Sequence, residues 1–169
     1  AGWYGFIRYE EFFMKKTVPM HLKRKLFHSN VIPAMLYGAE TWTMTGKDYK
    51  KLAVAQRKME RRMVGTSLLD RRRNEWLRGV TKVDDVRTVA VERKWKWARR
   101  IASMDNNRWA KVITEWRPRK HRRDVGRPKR RWRDDFRDVL GEPWKRQAED
   151  QAVWNLLMEQ HVVTILNLQ

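Results

Sequence analysis

Apolar residues recur along this chain at intervals of three and four, and few segments alternate with period two. That spacing lines one side of a 3.6-residue helix, so the chain predicts an all-α fold. Trp3, Tyr4, Phe6, Tyr9, Phe12 and Phe13 crowd the first twenty residues, where a short helix is expected, and Pro19 ends it or opens the next. Residues 20–36 predict a helix burying Leu22, Leu26, Phe27, Met35 and Leu36, kinked or split by Pro33 and closed by a turn at Gly38. Thr45, with Asp48 three residues on, predicts a capped helix that ends at Gly65. Tyr49, Leu52, Met59 and Met63 share its apolar face, and Lys50, Lys51, Arg57, Lys58, Arg61 and Arg62 cover the other.

The second half continues in the same period. A short helix is expected over 74–79. Thr81 is the expected cap of the next helix, with Asp84 and Asp85 in its first turn, where carboxylates suit the helix dipole. Val83, Val86, Ala90, Trp97, Ile101 and Met104 make its stripe. Asn106 and Asn107 break the chain before a short helix over 108–116, with Trp109, Val112, Ile113 and Trp116 apolar. Pro128 suits the first turn of a helix running to Leu140, with Trp132, Phe136, Val139 and Leu140 on its face and Gly141 as its stop. Pro143 opens a last helix with Trp144, Ala148, Ala152 and Leu156 in line. The apolar end at 162–169 carries no clear expectation. The sum is six to eight helices in one bundle-like domain with a long basic loop, divided into 1–44, 45–160 and a tail at 161–169.

Charge changes this picture most. The 169 residues hold 39 Lys and Arg against 20 acids, a formal net charge of +19. Such an excess favours phosphate-bearing partners through attraction and counterion release. It is densest at Arg117, Arg119, Lys120, Arg122, Arg123, Arg127, Lys129, Arg130, Arg131 and Arg133, with Asp124 as the lone acid among them. These ten are the candidate nucleic-acid-binding residues, and Arg, which can grip phosphate with two N–H groups, dominates. Gly126-Arg127-Pro128 breaks the segment and resembles the minor-groove element of AT-hooks. A nuclear-targeting signal fits the same residues and places the chain in the nucleus.

Other chemistry is sparse. There is no Cys, which excludes disulfides and Cys-liganded zinc. His21, His28, His121 and His161 lack ligand spacing. The longest apolar run, 31–39, contains Pro33 and is too short to span a bilayer, so no membrane partner is expected. Asp84-Asp85 and Asp134-Asp135 fall on expected helices beside Arg130, Arg131 and Arg137, where charge pairing explains them without catalysis. Trp97, Trp132 and Trp144 sit on apolar faces. Trp95, between Lys94 and Lys96, falls off its stripe. Of the ten Trp it is the best placed to stack on a base, its competing role being that of a partly exposed structural residue.

The order of these segments resembles one family. Val31-Ile32-Pro33-Ala34-Met35-Leu36-Tyr37-Gly38-Ala39-Glu40-Thr41-Trp42 resembles the V-x-P-x-L-x-Y-G-x-E-T-W hallmark of non-LTR retrotransposon reverse transcriptases. Met63-Val64-Gly65, Asp70 with Arg71 to Asn74, Arg93 to Met104, Gly126 to Trp132, and Trp144, Ala148, Asp150 and Trp154 resemble motifs that follow it in RTE-like elements. The chain departs from the pattern at Ala98-Arg99, where the family has Gly-His, and at Gln151, where it has Arg. The resemblance implies the thumb and C-terminal end of a longer polyprotein, and the start at Ala1 fits a fragment. The parent would be an RNA-directed DNA polymerase with an endonuclease. Its palm and fingers would lie upstream and use Mg2+, and no cofactor is implied for this fragment. The implied role is non-catalytic: gripping primer–template duplex, element RNA, target DNA or an RNA–DNA hybrid. The alternative is a domesticated nuclear adaptor that binds DNA or RNA.

Overall fold

A computed structural model describes residues 1–115, 130–141 and 143–167. Among them every regular element is helical, as the periodicity predicts: α1 Gly2–Ile7, α2 Glu10–Met14, α3 Met20–Leu26, α4 Ile32–Met35, α5 Gly46–Val64, α6 Asn74–Thr81, α7 Val86–Ala102, α8 Trp109–Glu115, α9 Asp134–Leu140, α10 Trp144–Gln147 and α11 Gln151–Leu166. A π-turn at Phe27–Val31 joins α3 to α4, and a 3-10 turn at Ala39–Thr41 precedes α5.

The first aromatic cluster makes its own small core. Phe6 and Phe13 stack with centroids 4.8 Å apart, and Phe27 meets both edge-on. Gly2 lets α1 lie against α4, because a Cβ there would fall 2.2 Å from Met35 Cγ. Pro33 splits the 20–36 helix by a specific route. Its ring cannot tolerate the carbonyl four residues back, and the preceding π-turn widens the backbone there. Leu22, expected inside, is 43% exposed, and the buried position beside it belongs to Lys23, whose Nζ donates to the Met63 carbonyl at the end of α5.

Helix α5 follows its expected limits. Asp48 accepts from the Thr45 N–H and hydroxyl, and Gly65 ends the helix at φ +78, a left-handed conformation that glycine adopts without a Cβ penalty. Two polar side chains on its buried face fasten the next elements. Gln56 donates to the Asp84 carbonyl and accepts from the Val86 N–H, which pins the start of α7. Glu60 accepts from the Thr81 hydroxyl at 2.6 Å. Thr81 is therefore the buried end of α6, and the cap of α7 is Asp85, which accepts from the Arg87 N–H.

Helix α7 buries Val86, Ala90 and Ile101 of its expected stripe, with Val83 just before it, but the middle of its buried side is Lys94 and Trp95 rather than Trp97. Ala90, Val91, Lys94, Trp95, Ala98 and Ile101 are buried, whereas Trp97 and Met104 are only half-buried. Trp95, the best of the stacking candidates and otherwise expected as a partly exposed structural residue, is structural and only 1% exposed, and lies against Trp154, Phe136 and His161. The last expected helix is two. Pro143 opens α10, the chain turns at 148–150, and Asp150 caps α11 by accepting from the Ala152 and Val153 N–H groups. Ala152 and Leu156 consequently face outward, and Trp154, His161 and Ile165 face α7. The apolar end of the chain continues α11 to Leu166. Helix α9 begins at Asp134, so residues 130–133 are not part of it. Pro128 lies outside the described residues.

Two measurements check this packing. Trp95→Ala should cost about 3–5 kcal/mol of unfolding free energy and Trp97→Ala about 1 kcal/mol or less, read from urea unfolding by far-UV circular dichroism. A reversed order would mean that α7 presents its other side. Burial also pushes the Glu60 carboxyl above its usual 4.5, against the hydrogen bond from Thr81. An acid whose folded value is raised loses stability as pH climbs past that unfolded value. Glu60→Gln keeps an oxygen for Thr81 and should be more stable than the parent at neutral pH. The difference should vanish in unfolding measured below pH 4.5.

Candidate nucleic-acid interface

Of the ten candidate residues, Arg117, Arg119, Lys120, Arg122, Arg123, Arg127 and Lys129 lie outside the described residues, as do His121 and Trp116. The other three are placed, and they differ. Arg131 has an exposed side chain, and its backbone N–H donates to Asp134. Arg133 is half-buried, with its Nε out of solvent and unpartnered. Arg130 is fastened to the fold. Its Nε and terminal nitrogen reach Asp135 Oδ1 at 2.9 and 2.8 Å, and that nitrogen also meets Asp138 at 2.8 Å. Burial would lower its pKa, but the bonds and charges of Asp135 and Asp138 outweigh this and raise it. Arg130 thus has a structural task at α9 while its side chain stays 39% exposed.

Asp135 is the centre of this arrangement. Its other oxygen accepts from Lys94, and both side chains are nearly fully buried. Lys94 also donates to the Trp42 carbonyl at 3.0 Å and lies 5.5 and 5.7 Å from the rings of Trp132 and Phe136. Desolvation by burial pulls the Lys94 pKa down, and the Asp135 charge works against it. Trp132 completes the anchor from the turn before α9 rather than from a helical face. Its Nε1 donates to the Glu40 carbonyl at 2.6 Å, and its ring packs on Phe136 and Trp144. The end of the basic segment is therefore tied to the turn that carries Ala39-Glu40-Thr41-Trp42.

A cleft of about 930 Å3 opens beside this cluster, lined by Thr45, Gly46, Tyr49, Arg130, Asp138 and His161 among others. Asp135 and Asp138 on its wall would repel a phosphate, so it is a poor anion site. Asp134 and Asp135, adjacent on α9, serve a backbone N–H and an ion pair respectively. Among the described residues no group of three His, Asp or Glu side chains is arranged to hold a metal ion, and no helix is long and apolar enough to cross a membrane.

Other cations sit on rigid backbone and point outward. Arg71, Arg72 and Arg73 are exposed in one turn. Asp70 shapes it by accepting from the Ser67 N–H and hydroxyl, bonds that lower the Asp70 pKa. Arg71 holds a left-handed φ of +49, and Arg61 clamps the turn through the Arg72 carbonyl and Asn74. Arg72 also lies over the ring of Trp76. Lys50 and Lys58 are exposed on the outer side of α5, as its pattern predicts. On the same side Arg62 pairs with Glu10.

No protein-family model and no solved structure matches the chain. It is similar to a putative uncharacterized transposon-derived protein of Caenorhabditis elegans, 34% identical over 146 residues. The aligned part is 79% of this chain and 52% of that protein, so the chain spans about half the length of that relative.

The Lys94–Asp135 pair gives a direct check. Asp135→Asn leaves the buried Lys94 ammonium without a carboxylate and should cost about 3–5 kcal/mol in urea unfolding, and Lys94→Met, which leaves Asp135 to Arg130, should cost less. The double variant Lys94→Met/Asp135→Leu should cost clearly less than the sum of the two single changes. Simple additivity would mean that the two charges do not interact.

Proposed function

We propose that this chain is a non-catalytic, nucleic-acid-binding piece of a retrotransposon reverse transcriptase, from the region that follows the polymerase core. The observation that carries the nucleic-acid part is the charge: +19 in 169 residues, with ten cations packed into 117–133 and a further arginine turn exposed at 71–73. The parentage rests on the ordered motif resemblance. It draws support from the similarity to a transposon-derived protein, which fits a transposon origin for this sequence. The partners are RNA, DNA or their hybrid, held in the nucleus beside the palm and fingers of the parent polymerase.

In this reading the basic segment neutralises backbone phosphates. Its far end is fastened by Arg130 and Trp132, so the cations before it leave from a fixed point. Contacts of this kind set position and affinity without reading sequence. Asp134 and Asp135 take no catalytic part, because both are engaged in holding α9.

Binding of the full chain to a labelled RNA–DNA hybrid, followed by fluorescence anisotropy from low to high salt, tests this. Contact with about six phosphates gives a log–log salt slope near 5 in magnitude. Replacing Arg127, Lys129 and Arg131 together with Ala should lower affinity evenly across oligonucleotide sequences and reduce the slope by about 3. Absent binding, or binding with no salt dependence, would remove the proposal. Loss confined to one oligonucleotide sequence would instead mean base readout.

A further inference from the structure

Most cations buried or half-buried in this fold have structural partners. Lys23 serves the Met63 carbonyl, and Lys111 the Ala102 and Met104 carbonyls. Arg87 serves Asp85 and the Ile165 and Leu166 carbonyls. Lys94 and Arg130 serve Asp135. One group stands apart, in a cleft of about 440 Å3 between α7 and α11. Its α7 wall is Lys96, Arg99, Arg100 and Ser103, and Gln151 and Asn155 face them from α11. It shares no residue with the cleft beside Arg130.

Among the described residues no carboxylate lines this cleft. Glu92 pairs with Lys96 at 3.3 Å, but both are solvent-facing and a one-to-one pair leaves other ammonium N–H groups free. No described carboxylate lies within ion-pair distance of Arg99 or Arg100, and Arg99 Nε is buried without an acceptor. Asp150, next to Gln151, directs its carboxylate to the Ala152 and Val153 N–H groups. Every polar side chain on the wall can donate a hydrogen bond.

The spacing suits a polymer. Positions 96, 99, 100 and 103 share one side of α7 over two turns, about 10 Å. One strand of a duplex advances about 3.4 Å along the duplex axis per phosphate and winds around it as well, so the wall is long enough to meet more than one phosphate. We infer that the α7–α11 cleft binds the phosphodiester backbone of one nucleic-acid strand. Arg99 and Arg100 take phosphates with two N–H groups each, Lys96 adds a point charge, and Gln151 and Asn155 donate neutral hydrogen bonds. This rests on the nucleic-acid-binding reading above and adds a second contact site that shares no residue with 117–133.

The test uses the full chain, the labelled hybrid and the same salt series, with Arg99→Gln/Arg100→Gln. The expected result is about a tenfold or greater loss of affinity and a salt slope lower by about 2, with thermal unfolding unchanged. Should that pair disturb folding, Lys96→Gln at the exposed rim should lower the slope by about 0.9. A folded cleft variant with the parental slope overturns the cleft while leaving the nucleic-acid reading intact. Failure of the unaltered chain to bind overturns both. Loss of binding to phosphatidylserine vesicles, with hybrid binding unchanged, also overturns it and assigns the cleft to a membrane surface.

Discussion

A buried ammonium–carboxylate pair, Lys94 with Asp135, sets how the parts of this molecule meet. Lys94 comes from the middle of α7 and Asp135 from the first turn of α9, and the Trp42 carbonyl and Arg130 complete the cluster. Such a pair adds little net stability, because both groups lose their hydration. Its force is in what it forbids. Any other register of α9 on α7 would leave one of the charges naked in an apolar interior. The free energy comes from the rings around it, Trp95, Trp132, Phe136, Trp144 and Trp154, which touch as a continuous aromatic layer.

The large positive charge consequently has two parts. One is internal engineering: Lys23, Lys111 and Arg87 satisfy carbonyls at the ends of α5, α7 and α11, where a helix leaves acceptors unpaired and its dipole is negative. The other is not spent on carbonyls or buried carboxylates: Arg71 to Arg73 are exposed in the turn that Asp70 shapes, and Arg99 and Arg100 line the α7 wall of the cleft against α11. Only the second kind is available to a polyanion. Net charge counts both, which is why it indicates a class of partner but not an interface.

Helix boundaries with local signals were legible in the sequence. Thr45 with Asp48, Gly65, Gly141 and Pro143 each act through their own backbone or a neighbour three residues away, and each is found in its expected role. The buried side of α7 was legible at Val86, Ala90 and Ile101 but not at its centre, because Lys94 interrupts the apolar stripe and hides Trp95 beside it. The partner that makes a buried Lys tolerable, Asp135, is 41 residues away. Thr81 misled for a similar reason. Its hydroxyl has two possible tasks, and the choice rests on Glu60, which only the fold brings near. In the candidate interface, Arg130 is indistinguishable from its neighbours by composition, and its ion pairs with Asp135 and Asp138, five and eight residues on, set it apart from Arg131 only once α9 is placed.

The indole N–H of Trp154 donates to the carbonyl of Trp95, across 59 residues of chain. That single bond has a consequence for synthesis. A ribosome adding about 5–20 residues per second makes Trp95 about 3–12 s before its partner. For most of that interval, until Phe136 is made, none of the rings that cover the Trp95 indole exists, and Trp154 and His161 come later still. The centre of the molecule must therefore close after α11 has emerged, which makes the last helix the step on which a nascent chain succeeds or aggregates.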